Sequence, residues 1–335
     1  MKSDGSCGGS AIALWCKENR TMSGVAGLFF DMLDRGMPRF SDDSEAFDWM
    51  SSEAANGDLD AKAILGLMHL KGVGAPQSDE RALKLFRGAA ERGHAPSQFA
   101  LGLMYRSGRG VERSDSEALE WYKKAANQGH AVAQYNIGAM SERGTGVPRS
   151  ESEAAKWYRM AAENGYAVAQ YNLGNMYCDG IGVQRSESEA AKWYRRAAEQ
   201  GIPEAQFNLA TMYSDGAGVQ QSDSEAVKWY RMAAEQGDAG AQSSLAYAYH
   251  SGRGVERSYE LAFEWFSRAA EQDDAYSQYC LGYMYATGQG VRRSEAKARE
   301  WLRRAAAQGD ADAERMLESL RRRGCTATAA SAFLI

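Results

Sequence analysis

Cysteine and histidine are both scarce in this chain, five of the first and four of the second in 335 residues. The cysteines, Cys7, Cys16, Cys178, Cys280 and Cys325, are odd in number and recur at no fixed spacing. That excludes a disulfide framework and fits a reducing compartment. The histidines, His69, His94, His130 and His250, make no H-E-x-x-H pair, and no Cys/His spacing suits zinc. No metal and no cofactor is expected. Long apolar runs are missing as well. Nothing approaches the roughly 20 apolar residues of a membrane span, and 24–30 is too short for a signal-peptide core and lacks its flanks. The chain as written is therefore expected to be cytoplasmic, with export by another route left open. A basic excess is absent too. The formal net charge is −5, which argues against a nucleic-acid partner, whose binders carry a basic surface.

What the chain does have is repetition. The stretch Gly165–Gln200, GYAVAQYNLGNMYCDGIGVQRSESEAAKWYRRAAEQ, is nearly repeated at Gly129–Asn164 and Gly201–Gln236. Its opening glycine returns every 36 residues at Gly57, Gly93, Gly129, Gly165, Gly201, Gly237 and Gly309, with Asp273 in the one gap. A fixed period of this length marks a solenoid, whose units bury their apolar faces only against neighbours.

Each unit reads as helix, turn, helix. With Leu173 at zero on a helical wheel, Ala169, Met176 and Tyr177 fall within roughly 60° of it. The same ladder runs through Leu65, Leu101, Ile137, Leu209, Leu245, Leu281 and Leu317. Gly174 sits beside it, where a missing side chain lets a second helix approach. Gly180 recurs from Gly72 to Gly324 and is placed to end the first helix in a left-handed conformation. Gly180-Ile-Gly182 has no preceding strand and no third glycine, so it reads as a turn and not a phosphate loop. The second helix opens with Ser186-x-x-Glu189, repeated at Ser114/Glu117, Ser150/Glu153 and Ser222/Glu225, a capping box. Ala190, Trp193, Tyr194 and Ala197 then share a face. Trp49, Trp121, Trp157, Trp193, Trp229, Trp265 and Trp301 keep the period and are expected in the core, where truncation costs about 3–5 kcal/mol.

Length alone suggests two domains, but the repeat gives one. Residues 1–20 read as a flexible N-terminal segment. Residues 21–56 are a worn capping unit, with Phe29, Met32, Gly36 and Trp49 in the repeat positions and Pro38 and Phe40 spoiling its turn. Seven full units occupy 57–308. Residues 309–324 are a lone capping helix, and 325–335 a tail ending in an apolar Ala-Phe-Leu-Ile.

The pattern A-x-x-x-L-G-x-M-Y-x-x-G-x-G-V followed by E-A-x-K-W-Y-x-x-A-A-E-x-G resembles the Sel1-like repeat, a relative of the tetratricopeptide repeat. The resemblance covers roughly 21–324. It implies an all-α fold, an α/α solenoid wound as a right-handed superhelix with a concave surface. It also implies a non-enzymatic adaptor or scaffold that binds a protein or peptide segment in the concave groove, whose wall the first helices line, in bacterial signalling, envelope or host-interaction settings. A cysteine-rich branch binds or hydrolyses β-lactams, which supplies the alternative function. This chain lacks that branch's paired cysteines.

Positions constant between units build the frame, and positions that vary are free for recognition. Three columns vary: Leu103, Ala139, Asn175, Thr211, Tyr247 and Tyr283; Arg106, Glu142, Cys178, Ser214, His250 and Ala286; and Pro96, Val132, Val168, Glu204, Gly240 and Tyr276. All three lie opposite the Leu173 ladder. Beside them stand Asn136, Asn172 and Asn208, whose amides can pair either with an extended peptide or with the adjacent helix. The candidate protein-binding residues are thus Arg106, Asn136, Asn172, Asn175, Asn208, Tyr247, His250 and Tyr283, on a chain expected to be a monomer. The one enzymatic lure, Ser294-x-x-Lys297, falls in the helix-cap column and has no K-T-G or S-D-N companion. His94 and His130 share a column after the opening glycine and are expected to be exposed. No catalytic residue is expected.

Overall fold

The computed structural model describes residues 28, 31–34, 36–38 and 40–332, with side chains to 322. The expected N-terminal segment, Phe29 and the end of the tail lie outside these. The contacts divide the chain into two compact units, Met1–Gln184 and Arg185–Ile335. The first holds α1 (Asp43–Ala55), α2 (Leu59–Lys71), α3 (Asp79–Ala90), α4 (Ala95–Ser107), α5 (Asp115–Ala126), α6 (Ala131–Arg143), α7 (Glu151–Glu163) and α8 (Ala167–Asp179). The second holds α9 (Glu187–Glu199), α10 (Pro203–Asp215), α11 (Asp223–Glu235), α12 (Ala239–Ser251), α13 (Tyr259–Glu271), α14 (Ala275–Thr287), α15 (Glu295–Ala307) and α16 (Ala311–Ala332). No strand occurs among the described residues. Within each unit a helix packs on the one before it and the one after it, with α16 also touching α14. This is the α/α solenoid the period predicts, with even-numbered helices as first helices and odd-numbered ones as second helices.

The ladder residues Leu101, Ile137, Leu173, Leu209, Leu245 and Leu281 are all buried. The glycine beside the ladder does let the second helix in. A Cβ on Gly138 would lie 2.7 Å from Cδ1 of Tyr158, closer than real contacts allow. The turn glycine behaves as read: Gly180 has φ 72° and its N–H bonds the Met176 carbonyl. The second turn glycine has a reason of its own. A Cβ on Gly110 would lie 2.9 Å from the Asp79 carbonyl oxygen, so this turn rests directly on the start of α3, one repeat earlier. Asp273, in the glycine column, takes φ 64°.

Four expectations need correction. Only half of the capping box forms. The Ser150 hydroxyl accepts the Glu153 N–H at 3.3 Å, but the Ser150 N–H bonds the Ser141 carbonyl at 2.8 Å. With that donor taken, Glu153 pairs instead with Lys156 at 2.5 Å. The tryptophans are not the deepest aromatics. Trp49, Trp121, Trp157, Trp229 and Trp301 are half-buried, whereas the residues that follow four of them, Met50, Tyr122, Tyr158 and Leu302, are buried. Trp193 and Trp265 are buried in the core as expected, the other five stand nearer the rim, and several indoles lie under cations one helical turn on, such as Lys124 over Trp121 and Arg268 over Trp265. Helix α16 runs through Gly324 to Ala332, because no G-x-G-V turn follows Gly324 as it follows the other first helices. His94 and His130 are not exposed but sit half-buried at helix starts. His94 bonds Ser97 and Asp60 at 2.8 and 2.9 Å. His130 stacks on Phe99 with ring centroids 4.8 Å apart, and its Nδ1 accepts the Ala133 N–H.

One repeated residue escaped the pattern reading. Gln98, Gln134, Gln170, Gln206, Gln242 and Gln278 are all buried in the first helices. Each donates its amide to the carbonyl of an alanine eight residues back, at the end of the preceding second helix, over 3.0–3.2 Å. The amide oxygen then accepts from the residue ending the next second helix: Gln128 to Gln98 at 2.7 Å, Asn164 to Gln134 at 2.9 Å, Gln236 to Gln206 at 2.8 Å, Gln272 to Gln242 at 2.9 Å and Gln308 to Gln278 at 3.0 Å. One side chain thus fastens the ends of two successive second helices.

Three outcomes follow from this packing. Gln134→Met keeps the volume but leaves the Ala126 carbonyl with only the Gly129 N–H and takes the acceptor from the Asn164 amide, and should cost about 1–3 kcal/mol in urea unfolding. Tyr158→Ala should cost about 3–5 kcal/mol, and Trp157→Ala clearly less, in the same measurement. Burial holds the His130 pKa down at about 4, against 6.5 for a free imidazole. Below pH 6.5 the unfolded chain takes up a proton that the folded chain refuses. Stability present above pH 6.5 is therefore lost as pH falls towards 4, by up to about 3 kcal/mol. His130→Asn, which keeps a capping acceptor, should flatten that part of the stability–pH curve.

Candidate functional site

The varying columns behave differently in the two units. In the first, Leu103 is exposed, but Ala139 is buried against α7 and Asn175 is half-buried. Arg106 donates to the Asn136 side-chain oxygen at 3.5 Å, and Asn172 donates to the Tyr135 hydroxyl at 3.4 Å. Both bonds join one repeat to the next, so these two asparagines already serve the frame with part of their capacity. Glu142, in the Arg106 column, accepts from the buried Tyr158 hydroxyl at 2.8 Å.

In the second unit the outward face is aromatic. Tyr247, Tyr276 and Tyr283 are 44, 45 and 37% exposed. Asn208 is half-buried on α10. Tyr247, His250 and Tyr283 come together around a hollow of about 180 Å³, completed by Phe266, Tyr276, Tyr279, Cys280 and Met284. His250 Nε2 lies 3.1 Å from Gln289 Oε1, and its ring meets Tyr259 edge-on at 5.2 Å. A second hollow of about 230 Å³ shares Tyr247 and Tyr276 and is more polar, with Tyr230, Ser244, Asp223 and Arg253 in its wall. Arg253 grips Asp223 through two bonds of 2.8 and 3.3 Å.

The second hollow exists because of two small side chains. Other first helices carry an aromatic residue and an asparagine after the buried glutamine: Tyr135-Asn136, Tyr171-Asn172 and Phe207-Asn208. Helix α12 has Ser243-Ser244 there. Ser243 turns inward, donating to Asp274 at 3.2 Å and accepting from Ser277 at 3.0 Å, and the missing ring leaves the space. Tyr279, Ser244 and Arg253 are the members of this surface that pattern reading passed over. The break from the aromatic–asparagine pair was the signal available for them.

Two groups of this surface are held in their protonated forms. The Cys280 thiol is pushed up to about 12 by burial, so it stays protonated and is a poor nucleophile. Burial also raises the Tyr276 phenol, with Cys280 beside it as the next cause. Ser294 uses its hydroxyl to accept the Lys297 N–H at 3.4 Å, and the Lys297 ammonium lies over the Tyr285 ring. That pair is a helix cap. Among the described residues no group of three His, Cys, Asp or Glu could hold a metal ion, and no helix is long and apolar enough to cross a membrane.

The Sel1 repeat model matches the chain over residues 24–58, 59–94, 95–130, 131–166, 167–202, 203–238, 239–274 and 275–310. No curated protein matches it. Among solved structures it is similar to a protective antigen present in uropathogenic Escherichia coli strains, which displays an SLR fold. The two are 38% identical with a TM-score of 0.75, over 82% of this chain and 59% of that one. It is also similar to a Sel1 repeat protein from Oxalobacter formigenes, at 35% identity and a TM-score of 0.58, over 73% of this chain and 96% of that one. This chain therefore spans 59% of the length of the first of these structures. Eight consecutive matches, the buried ladder and the glycine turns lead to one conclusion: the chain belongs to the Sel1 repeat family.

Proposed function

We propose that the chain is a non-enzymatic scaffold that holds a protein or peptide segment on the outward face of its first helices, with the tyrosine surface of the second unit as the principal contact. Sel1 repeat proteins generally act as protein-interaction scaffolds. The observation that carries the reading here is the exposure of Tyr247, Tyr276 and Tyr283 beside two hollows. Tyrosine presents a large rigid area with a polar tip and is enriched where proteins meet. Some of the exposed lysines elsewhere are occupied with ion pairs along their own helices, such as Lys192–Glu189 and Lys228–Glu225. A setting in bacterial signalling, envelope or host-interaction assembly is supported by the bacterial origin of the two relatives, one of them described as a protective antigen.

The test is affinity capture from native lysate with the wild-type chain and a Tyr247→Ser/Tyr283→Ser variant. Both rings are exposed, so the helical circular dichroism should stay unchanged. A partner held by the wild type should be lost by the variant. Equal recovery by both would remove this surface from the function.

A further inference from the structure

Several aromatic rings of this chain carry a cation over their face. In the second unit Arg195 stands by Tyr213, Arg196 by Trp193, Arg257 by Tyr259, Arg268 by Trp265, Arg304 by Trp301 and Lys297 by Tyr285, at 4.4–5.8 Å from the ring centroids. The hollow on α12 and α14 has no such cation among its described residues. Tyr247, Tyr276, Tyr279 and Tyr283 surround it, and among the described residues no lysine or arginine lies over any of the four. Two arginines of this unit are engaged elsewhere. Arg253 is held by Asp223 in the adjoining hollow, and Arg315 is paired with Asp312.

Beyond the hollow's own lining, which includes His250, two carboxylates act on it from helix caps. Asp274 and Asp310 cap α14 and α16, accepting the Ser277 and Ala313 N–H groups at 2.7 and 2.8 Å. Neither carboxylate has a lysine or arginine partner among the described residues. Their field reaches the hollow. The Tyr279 phenol is raised by burial first, then by Asp312 and Asp310 among other neighbours, and Asp274 and Asp310 add to the burial that raises Cys280. Four phenol rings, two unneutralised carboxylates and no resident cation leave a place with the opposite need.

We propose that the hollow between Tyr247, Tyr276, Tyr279 and Tyr283 receives an arginine side chain from a basic segment of the partner. This rests on the scaffold reading above and specifies the chemistry of its ligand. A guanidinium is planar and weakly hydrated. It can lie against aromatic rings while directing N–H donors to phenol oxygens and carboxylates, which an ammonium does less well. The net charge of −5 draws such a segment in, and the tyrosines select the side chain.

The test uses the full chain and a fluorescein-labelled Gly/Ser peptide carrying three arginines, read by fluorescence anisotropy at fixed ionic strength. Its counterpart carries citrulline, which has the same shape without the charge. The arginine peptide should bind at least tenfold tighter than the citrulline peptide. It should also lose about tenfold on the Tyr247→Ser/Tyr283→Ser variant, whose net charge equals that of the wild type. Equal binding of the two peptides overturns the proposal, as does unchanged binding of the arginine peptide to the variant, since general attraction to an acidic chain would then explain everything. A lysine peptide that binds as tightly as the arginine one overturns the choice of guanidinium. If the peptides fail while the variant still loses its lysate partner, the arginine receptor falls and the scaffold reading stands.

Discussion

The fold depends on a buried amide. Gln98, Gln134, Gln206, Gln242 and Gln278 each donate to the end of one second helix and accept from the end of the next. Alanines line these helix ends, and apolar packing among small side chains tolerates sliding. A directional bond does not. A buried amide is costly to leave unpaired, so the only comfortable spacing between neighbouring hairpins is the one that satisfies both of its ends. The glycine turns work in the same direction. Gly110 seats its turn against the Asp79 carbonyl, and Gly146 does the same at Asp115. Step length and step rotation are therefore set at two separate places in every repeat.

That frame separates stability from recognition. The constant residues spend their contacts on the next hairpin, and the varying columns carry little of the load. Thr211 can become Tyr247 and then Tyr283 in the same column without disturbing Leu209, Leu245 or Leu281, all fully buried beside them. The separation is incomplete. Asn136 and Asn172 face outward from the ladder and still bond the preceding repeat. Tyr158 fills the core and still bonds Glu142 in a varying column.

Much of this was legible because the same physical demand is repeated. The Leu173 ladder, the Gly180 turn and the Ser150 cap each stand out as periodic, and each solves a problem visible within a few residues of chain. What stayed hidden depends on partners far along the sequence. Nothing local says that the Ser150 N–H will be taken by the Ser141 carbonyl, or that Tyr158 will lie deeper than Trp157, since both aromatics sit at adequate positions on the wheel. The glutamine column is just as periodic as the leucine column, yet hydrophobic periodicity does not score a buried polar residue. The tyrosine surface was half visible. Tyr247, His250 and Tyr283 were found as variable positions, but the hollow beside them comes from what Ser243 lacks, and a missing ring is evident only against the Tyr135, Tyr171 and Phe207 of other repeats.

The glutamine fastening has a consequence for how such a chain changes in length. One of its bonds reaches the preceding hairpin and the other closes its own, so no bond spans more than a single step. Removing one whole 36-residue step, or copying one, brings an equivalent alanine carbonyl to an equivalent glutamine and re-forms the junction from parts already present. Unequal crossing-over between near-identical stretches of the gene would thus yield shorter or longer proteins with no mismatched seam. A surface such as the one on α12 and α14 could be carried intact through each of them.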